Sequence, residues 1–208
     1  MMQWLRLRRD RRGIALVEFA LIFPILLTLC LTGAEITNFI ITKMRVSQLA
    51  LQLADNAARM GAGSPLAAKI ITETDINDLF VGANLQSGGL DLRTNGRAIL
   101  SDLEQDPANA GRFRIVWQRC YGQKVARASS YGTAGTNNMT GIGPAGRQAT
   151  ALPNSATMFV EVYYVYPPLV SARLAPATEI TEIASMAVRE RRDLSGINNV
   201  QAAPVSTC

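Results

Sequence analysis

Five arginines, Arg6, Arg8, Arg9, Arg11 and Arg12, lead to Gly13, and an apolar run begins at Ile14 that carries a single carboxylate, Glu18, four residues in. A charged side chain near the start of a membrane-length helix is costly, so a carboxylate retained there marks function. The same junction marks where the chain could be cut and what it could assemble with. Chemistry of other kinds finds little support. The chain has no histidine, which removes the commonest general base and the commonest metal ligand. Ser-His and Cys-His catalysis and most zinc sites are thereby excluded. No Gly-x-Ser-x-Gly nucleophile motif occurs. The expectation is a protein that is not an enzyme, with no catalytic residues, no metal and no cofactor.

Two other stretches invite a binding reading. Gly141-Ile142-Gly143-Pro144-Ala145-Gly146 is rich in glycine, but no Gly-Lys-Ser/Thr follows and no strand–helix frame surrounds it, so it is not a phosphate loop. Asp102, Glu104 and Asp106 alternate in a way that could hold calcium, yet the full calcium-loop pattern is missing, and a solvated acidic patch is the expectation.

The elements that position Glu18 are legible from charge and hydropathy. The 208 residues carry a net charge of +5. Residues 1–13 hold five Arg against one Asp, and the remainder hold 16 basic and 15 acidic groups. A basic tag before an apolar run orients a membrane segment, with the arginines kept cytoplasmic, whereas a basic fold would suggest nucleic acid. No nucleic-acid partner is expected. Residues 14–31 are almost wholly apolar apart from Glu18, Pro24 and Thr28, and about 20 such residues cross a bilayer. A cleavable secretory signal would be shorter and followed by a small-x-small site. The helix continues as an amphipathic one, with Val46, Leu49, Ala50, Leu53, Ala54, Ala57 and Met60 on one face. Gly61 and Gly63, then Ser64-Pro65, stop it. A helix from Ile14 to Met60 would be roughly 70 Å long, with a kink or a tolerated break at Pro24.

Beyond it the period changes. Leu66–Ile71 and Ile76–Phe80 read as short helical pieces. Ala98–Leu103, Phe113–Cys120, Met158–Tyr166 and Ile180–Arg191 read as strands. Tyr163, Tyr164 and Tyr166 read as sheet packing. A glycine-rich loop runs from Tyr121 to Pro153, a length usually functional or mobile, and the tail from Asp193 reads as polar and weakly structured. The fold class is α+β: a long N-terminal helix, its first half transmembrane, packed on a small antiparallel sheet domain with long loops. The divisions are a basic leader 1–13, a transmembrane half-helix 14–35, an amphipathic half-helix 36–61 and a sheet domain 62–208 outside the cytoplasm. In that compartment disulfides persist. Cys120 and Cys208 are a candidate pair closing a loop of about 88 residues; free thiols or an intermolecular bridge are the alternatives. Cys30 reads as a small buried hydrophobe.

The junction and this layout resemble the type IV pilin-like proteins, in particular the TadE-like minor pseudopilins of tight-adherence pilus systems. The resemblance rests on Gly13, the run from Ile14, Glu18-Phe19 and Pro24, with Trp117-Gln118-Arg119-Cys120 and Val188-Arg189-Glu190-Arg191-Arg192 also typical. It is tight over residues 9–40. It implies that a prepilin peptidase cuts after Gly13, making Ile14 the new N-terminus, and that this chain is the peptidase's substrate. It implies that Glu18 pairs with the N-terminal amine of a neighbouring subunit. Insertion scales put an acidic residue in the bilayer at about 2.5 kcal/mol or more. A partner ammonium relieves that only in the correct stagger, so the pair acts as a register device. Expected partners are other minor pseudopilins and pilus subunits through the N-terminal helix, the prepilin peptidase, and the inner membrane, crossed once with the C-terminal domain periplasmic, with passage into the pilus a further option. The expected role is to initiate or cap a tight-adherence pilus used in adhesion. The alternatives are a pseudopilin of a type II secretion system and an uncleaved single-pass periplasmic binding or sensor protein.

Overall fold

A computed structural model describes residues 13–63 and 67–208. The arginines of the leader, the Ser64-Pro65 stop and Leu66 lie outside the described residues. The chain forms two compact units. One holds the chain up to Ile40 together with Pro167–Thr178; the other holds Ile41–Tyr166 and Glu179–Cys208.

Helix α1 is Ile14–Arg59 and is unbroken across Pro24. Proline has no N–H to give the preceding turn. Four residues on, Thr28 Oγ1 donates to the Pro24 carbonyl at 2.8 Å, the local back-bonding that membrane helices use around such breaks. The second half of α1 carries the expected stripe: Val46, Leu49, Ala50, Leu53, Ala54 and Ala57 are all buried. The helix ends where Gly61 takes a φ of +109°. A Cβ there would lie 2.9 Å from the Ile70 carbonyl oxygen, so the turn requires glycine.

The remaining elements are β1 (Lys69–Thr72), α2 (Glu73–Ser87), a 3-10 turn (Gly88–Leu90), α3 (Leu92–Asn95), β2 (Gly96–Gln105), β3 (Phe113–Tyr121), β4 (Thr157–Val165), β5 (Glu179–Ala187) and β6 (Arg192–Asn198). Thr72 and Asp75 form a capping box that starts α2, each side chain accepting from the other's backbone N–H. The main sheet is antiparallel in the order β3-β2-β4-β5. Its central strand β2 is buried along its length save Gln105.

Four expectations are corrected. The segment read as helical from Leu66 to Ile71 holds strand β1, and the tail read as weakly structured holds β6, because the two pair in parallel with Lys69 opposite Arg192 and Ile71 opposite Ile197. The fourth expected strand stops at Ala187 instead of reaching Arg191. The acidic trio is not solvated: Asp102, Glu104 and Asp106 are buried. Strand alternation puts Asp102 and Glu104 on one face of β2, Asp106 follows directly after the strand, and cationic and backbone groups meet these carboxyls. Arg114 donates to Glu104 at 3.2 Å. Asp106 accepts from the Ala108 N–H, the Asn109 amide and the Asn138 N–H at 2.9, 2.9 and 3.0 Å, which holds its carboxyl below the usual range.

The glycine-rich stretch is pinned rather than loose. Ile142 enters the core with Leu103, Phe113, Ile115 and Phe159. Gln118 donates to the Gly132 carbonyl at 3.1 Å, and the Ser130 N–H and Ser129 hydroxyl donate to the buried Glu161 carboxylate.

Arg192 joins these parts. Its guanidinium donates to the carbonyls of Ala57, Ala58 and Met60 at 3.0, 3.3 and 3.0 Å. These belong to the end of α1, where carbonyls have no partner within the helix. The cation also draws down the pKa of Asp102, but burial, reinforced by the neighbouring Glu104 charge, wins and pushes that carboxyl up to about 8. An unfolded aspartate releases its proton near pH 4. Between about pH 4 and about pH 8 the folded chain therefore binds a proton that the unfolded chain has lost, and stability falls as pH rises. Thermal unfolding of the full chain in detergent micelles, followed by circular dichroism, is expected to give a midpoint that drops from about pH 5 to pH 8. Asp102→Asn is expected to flatten most of that slope and to unfold at a higher temperature than the parent at the alkaline end.

Candidate functional site

Gly13, Ile14, Glu18 and Phe19 lie at the start of α1. The Val17 N–H donates to the Gly13 carbonyl at 3.2 Å, the first turn of the helix. A Cβ at Gly13 would meet nothing within 4 Å among the described residues. Ile14 and Glu18 are one helical turn apart and share a face. Ile14 is 51% exposed and Phe19 60% exposed; Phe19 stacks on Phe23 with ring centroids 5.0 Å apart. Glu18 is exposed and enters no ion pair among the described residues.

Among the described residues, the neighbours of this carboxylate along α1 are apolar. Helix α1 is long and apolar enough to cross a membrane, and no part of its most apolar window is buried within the chain. Leu16, Val17, Leu21, Ile22 and Ile25 are all exposed. Large side chains unburied on every side of a helix need lipid or other helices around them. Cys30, expected to be buried, is exposed on this same half, because the segment has no protein cover.

The structure joins the candidate pair Cys120 and Cys208 in a disulfide. Both belong to the globular unit. The four residues ending at Cys120 each tie a different part of the fold. Trp117 is buried, and Gln118 donates to the Ser101 hydroxyl at 2.8 Å. Arg119 Nε reaches both carboxylate oxygens of Glu73, at 3.1 and 3.0 Å. The Cys120 N–H donates to the Ser206 carbonyl at 2.8 Å. The disulfide thus fastens a tail already laid along the end of β3.

One acidic residue that sequence reasoning passed over is placed more tightly than Glu18. Glu35 is wholly buried. Its carboxylate accepts from three successive backbone N–H groups, Leu169 at 3.2 Å, Val170 at 2.6 Å and Ser171 at 3.2 Å. Those donors lie in the β4–β5 connection. Charge-assisted bonds to an ionised acceptor are the strong kind, and a run of consecutive N–H groups is a natural anion cradle. The only sequence signal was an acidic side chain where the apolar run ends.

Residues 13–62 match the family model described as TadE-like protein. That segment takes in Gly13, Ile14, Glu18, Phe19 and all of α1. Comparisons with curated proteins and with solved structures return no match. The matched segment thus contains the helix whose most apolar window is left unburied by the described residues.

Reduction tests the one covalent tie. The disulfide spans 88 residues of sequence, for which the chain-entropy model gives about 4–5 kcal/mol. Cys208→Ser is expected to lower stability by about that amount and to abolish the difference in midpoint between oxidised and dithiothreitol-treated protein.

Proposed function

We propose that the chain is the precursor of a TadE-like minor pseudopilin, cut by a prepilin peptidase after Gly13 and used to initiate or cap a tight-adherence pilus that serves adhesion. The observation that carries this reading is the match of residues 13–62 to the TadE-like family, over a helix whose most apolar window is unburied among the described residues. The chain acts as the peptidase's substrate and has no catalytic role of its own. Before cutting, the arginines anchor the N-terminus at the cytoplasmic face of the inner membrane. Cutting removes that anchor and creates an ammonium group at Ile14.

Glu18 supplies the register. An exposed carboxylate among lipid-facing side chains is costly to leave unpaired. A neighbouring subunit's Ile14 ammonium meets it only when the two helices are staggered by the spacing of the pair. Charge pairing of this kind selects one alignment out of many and contributes modestly to affinity, as a polar residue does in a coiled-coil seam. The surrounding apolar side chains supply the contact area. Partners are therefore other minor pseudopilins and pilus subunits through the first half of α1.

The experiment is the N-terminal residue of the protein recovered from native membranes, by intact mass. A start at Ile14 that is lost in Gly13→Ala is the expected result; a retained leader in the parent protein sinks the reading and favours a signal-anchored periplasmic protein. Glu18→Gln is expected to be cut and inserted normally, yet to recover at least tenfold less of its pseudopilin partner on cross-linking, the factor that about 1.4 kcal/mol represents.

A further inference from the structure

The β4–β5 connection is unusual for a hairpin. Such loops commonly have two to five residues, whereas Pro167–Thr178 forms a compact unit with the chain up to Ile40 instead of with the sheet it interrupts. Glu35 fastens it there through the Leu169, Val170 and Ser171 N–H groups. The Leu174 N–H donates to the Ser171 carbonyl at 3.0 Å, so the fastened stretch closes into a turn. Pro167-Pro168-Leu169-Val170 are four successive apolar residues, all exposed. Leu169 is 63% and Val170 42% exposed. A run of that length on a surface is an error unless something uses it.

The position of the clamp says what uses it. Glu35 lies 21 residues beyond Ile14, about 32 Å along a helix, and the hydrocarbon core of a bilayer is about 30 Å thick. Leu31 and Ile36, on either side of Glu35 in α1, are also exposed. Arg173, exposed, follows the apolar run by three residues. Apolar side chains followed by a cation suit the headgroup boundary, where the chains dip toward the acyl region and the guanidinium meets phosphate.

We propose that Pro167–Thr178 is a membrane collar, with Leu169 and Val170 seated in the outer-leaflet interface of the bilayer and held at that depth by Glu35. The proposal rests on the reading that α1 crosses the membrane up to about Glu35. The occupant of the surface is lipid. The carboxylate serves as a depth gauge: it is buried and held by the three backbone donors, and it fixes which residues of the loop lie beside the end of the apolar span.

The test is collision accessibility of a nitroxide on the full chain in phosphatidylethanolamine–phosphatidylglycerol vesicles. The background is Cys30→Ala, which leaves the disulfide intact and removes the exposed free thiol. Labels go on Leu169→Cys, on Ile22→Cys as a reference inside the span, and on Leu152→Cys as a reference in water. The expected result is an oxygen-to-nickel accessibility ratio at residue 169 several-fold above that at residue 152 and below that at residue 22. Adding Glu35→Ala is expected to return the residue 169 ratio to the aqueous value; an unchanged ratio overturns the role given to Glu35. A residue 169 label as accessible to the nickel complex as residue 152, with residue 22 still shielded, overturns the collar alone. A residue 22 label open to the nickel complex overturns the membrane-spanning reading beneath it. A residue 169 label immobilised and shielded from both reagents overturns lipid as the occupant and points to a second protein chain.

Discussion

The globular unit depends on how the end of α1 is closed. An α-helix finishes with carbonyls that no residue of the helix can satisfy, and here Ala57 and Ala58 in the last turn are buried. Arg192 meets three of these acceptors with one guanidinium. A cation at a helix C-terminus also opposes the macrodipole. Because Arg192 is the first residue of β6 and stands opposite Lys69 of β1, the cap and the small parallel ladder form together. The carboxylates of β2 then lie near a charge that the helix end has already drawn into the interior. Asp102 and Arg192 each retain buried polar atoms without a hydrogen bond among the described residues. This makes the junction between helix and sheet a sensitive one, since partly satisfied polar networks are high-stakes.

The two halves of α1 were legible for different reasons. The first half is read from composition, since a run apolar on every face has few other uses. The second is read from period, and Val46, Leu49 and Leu53 are buried as that period requires. Strand β4 was legible because β-branched and aromatic residues are concentrated in it. The failures share a cause. Strands β1 and β6 are short and polar in places, and each exists because the other is there, over a hundred residues away in the chain. Asp102, Glu104 and Asp106 read as a solvated patch because the guanidiniums near them come from β3 and β6, and no local pattern names them.

At the candidate site the same distinction holds. Gly13 and Glu18 stood out because their types differ from their neighbours, and Ile14 and Phe19 through the resemblance that those two anchor. Glu35 did not, because its partners are main-chain N–H groups, which every residue except proline possesses and which leave no trace in residue type. The family match ends at residue 62, so the elements that act on Glu35 from the β4–β5 connection lie wholly outside it.

The Glu35 cradle also bears on how the protein can be divided. A fragment begun after Ile40 would retain the sheet, the disulfide and the Arg192 cap, and by length it looks like a natural soluble version of the molecule. It would also retain Pro167–Thr178 while discarding Glu35, which gathers three of the loop's N–H groups. The loop would then have to hydrate those donors and its four exposed apolar residues at once. A fragment trimmed at both places, with a short turn replacing Pro167–Thr178 between β4 and β5, would remove both members of that pairing and leave neither behind.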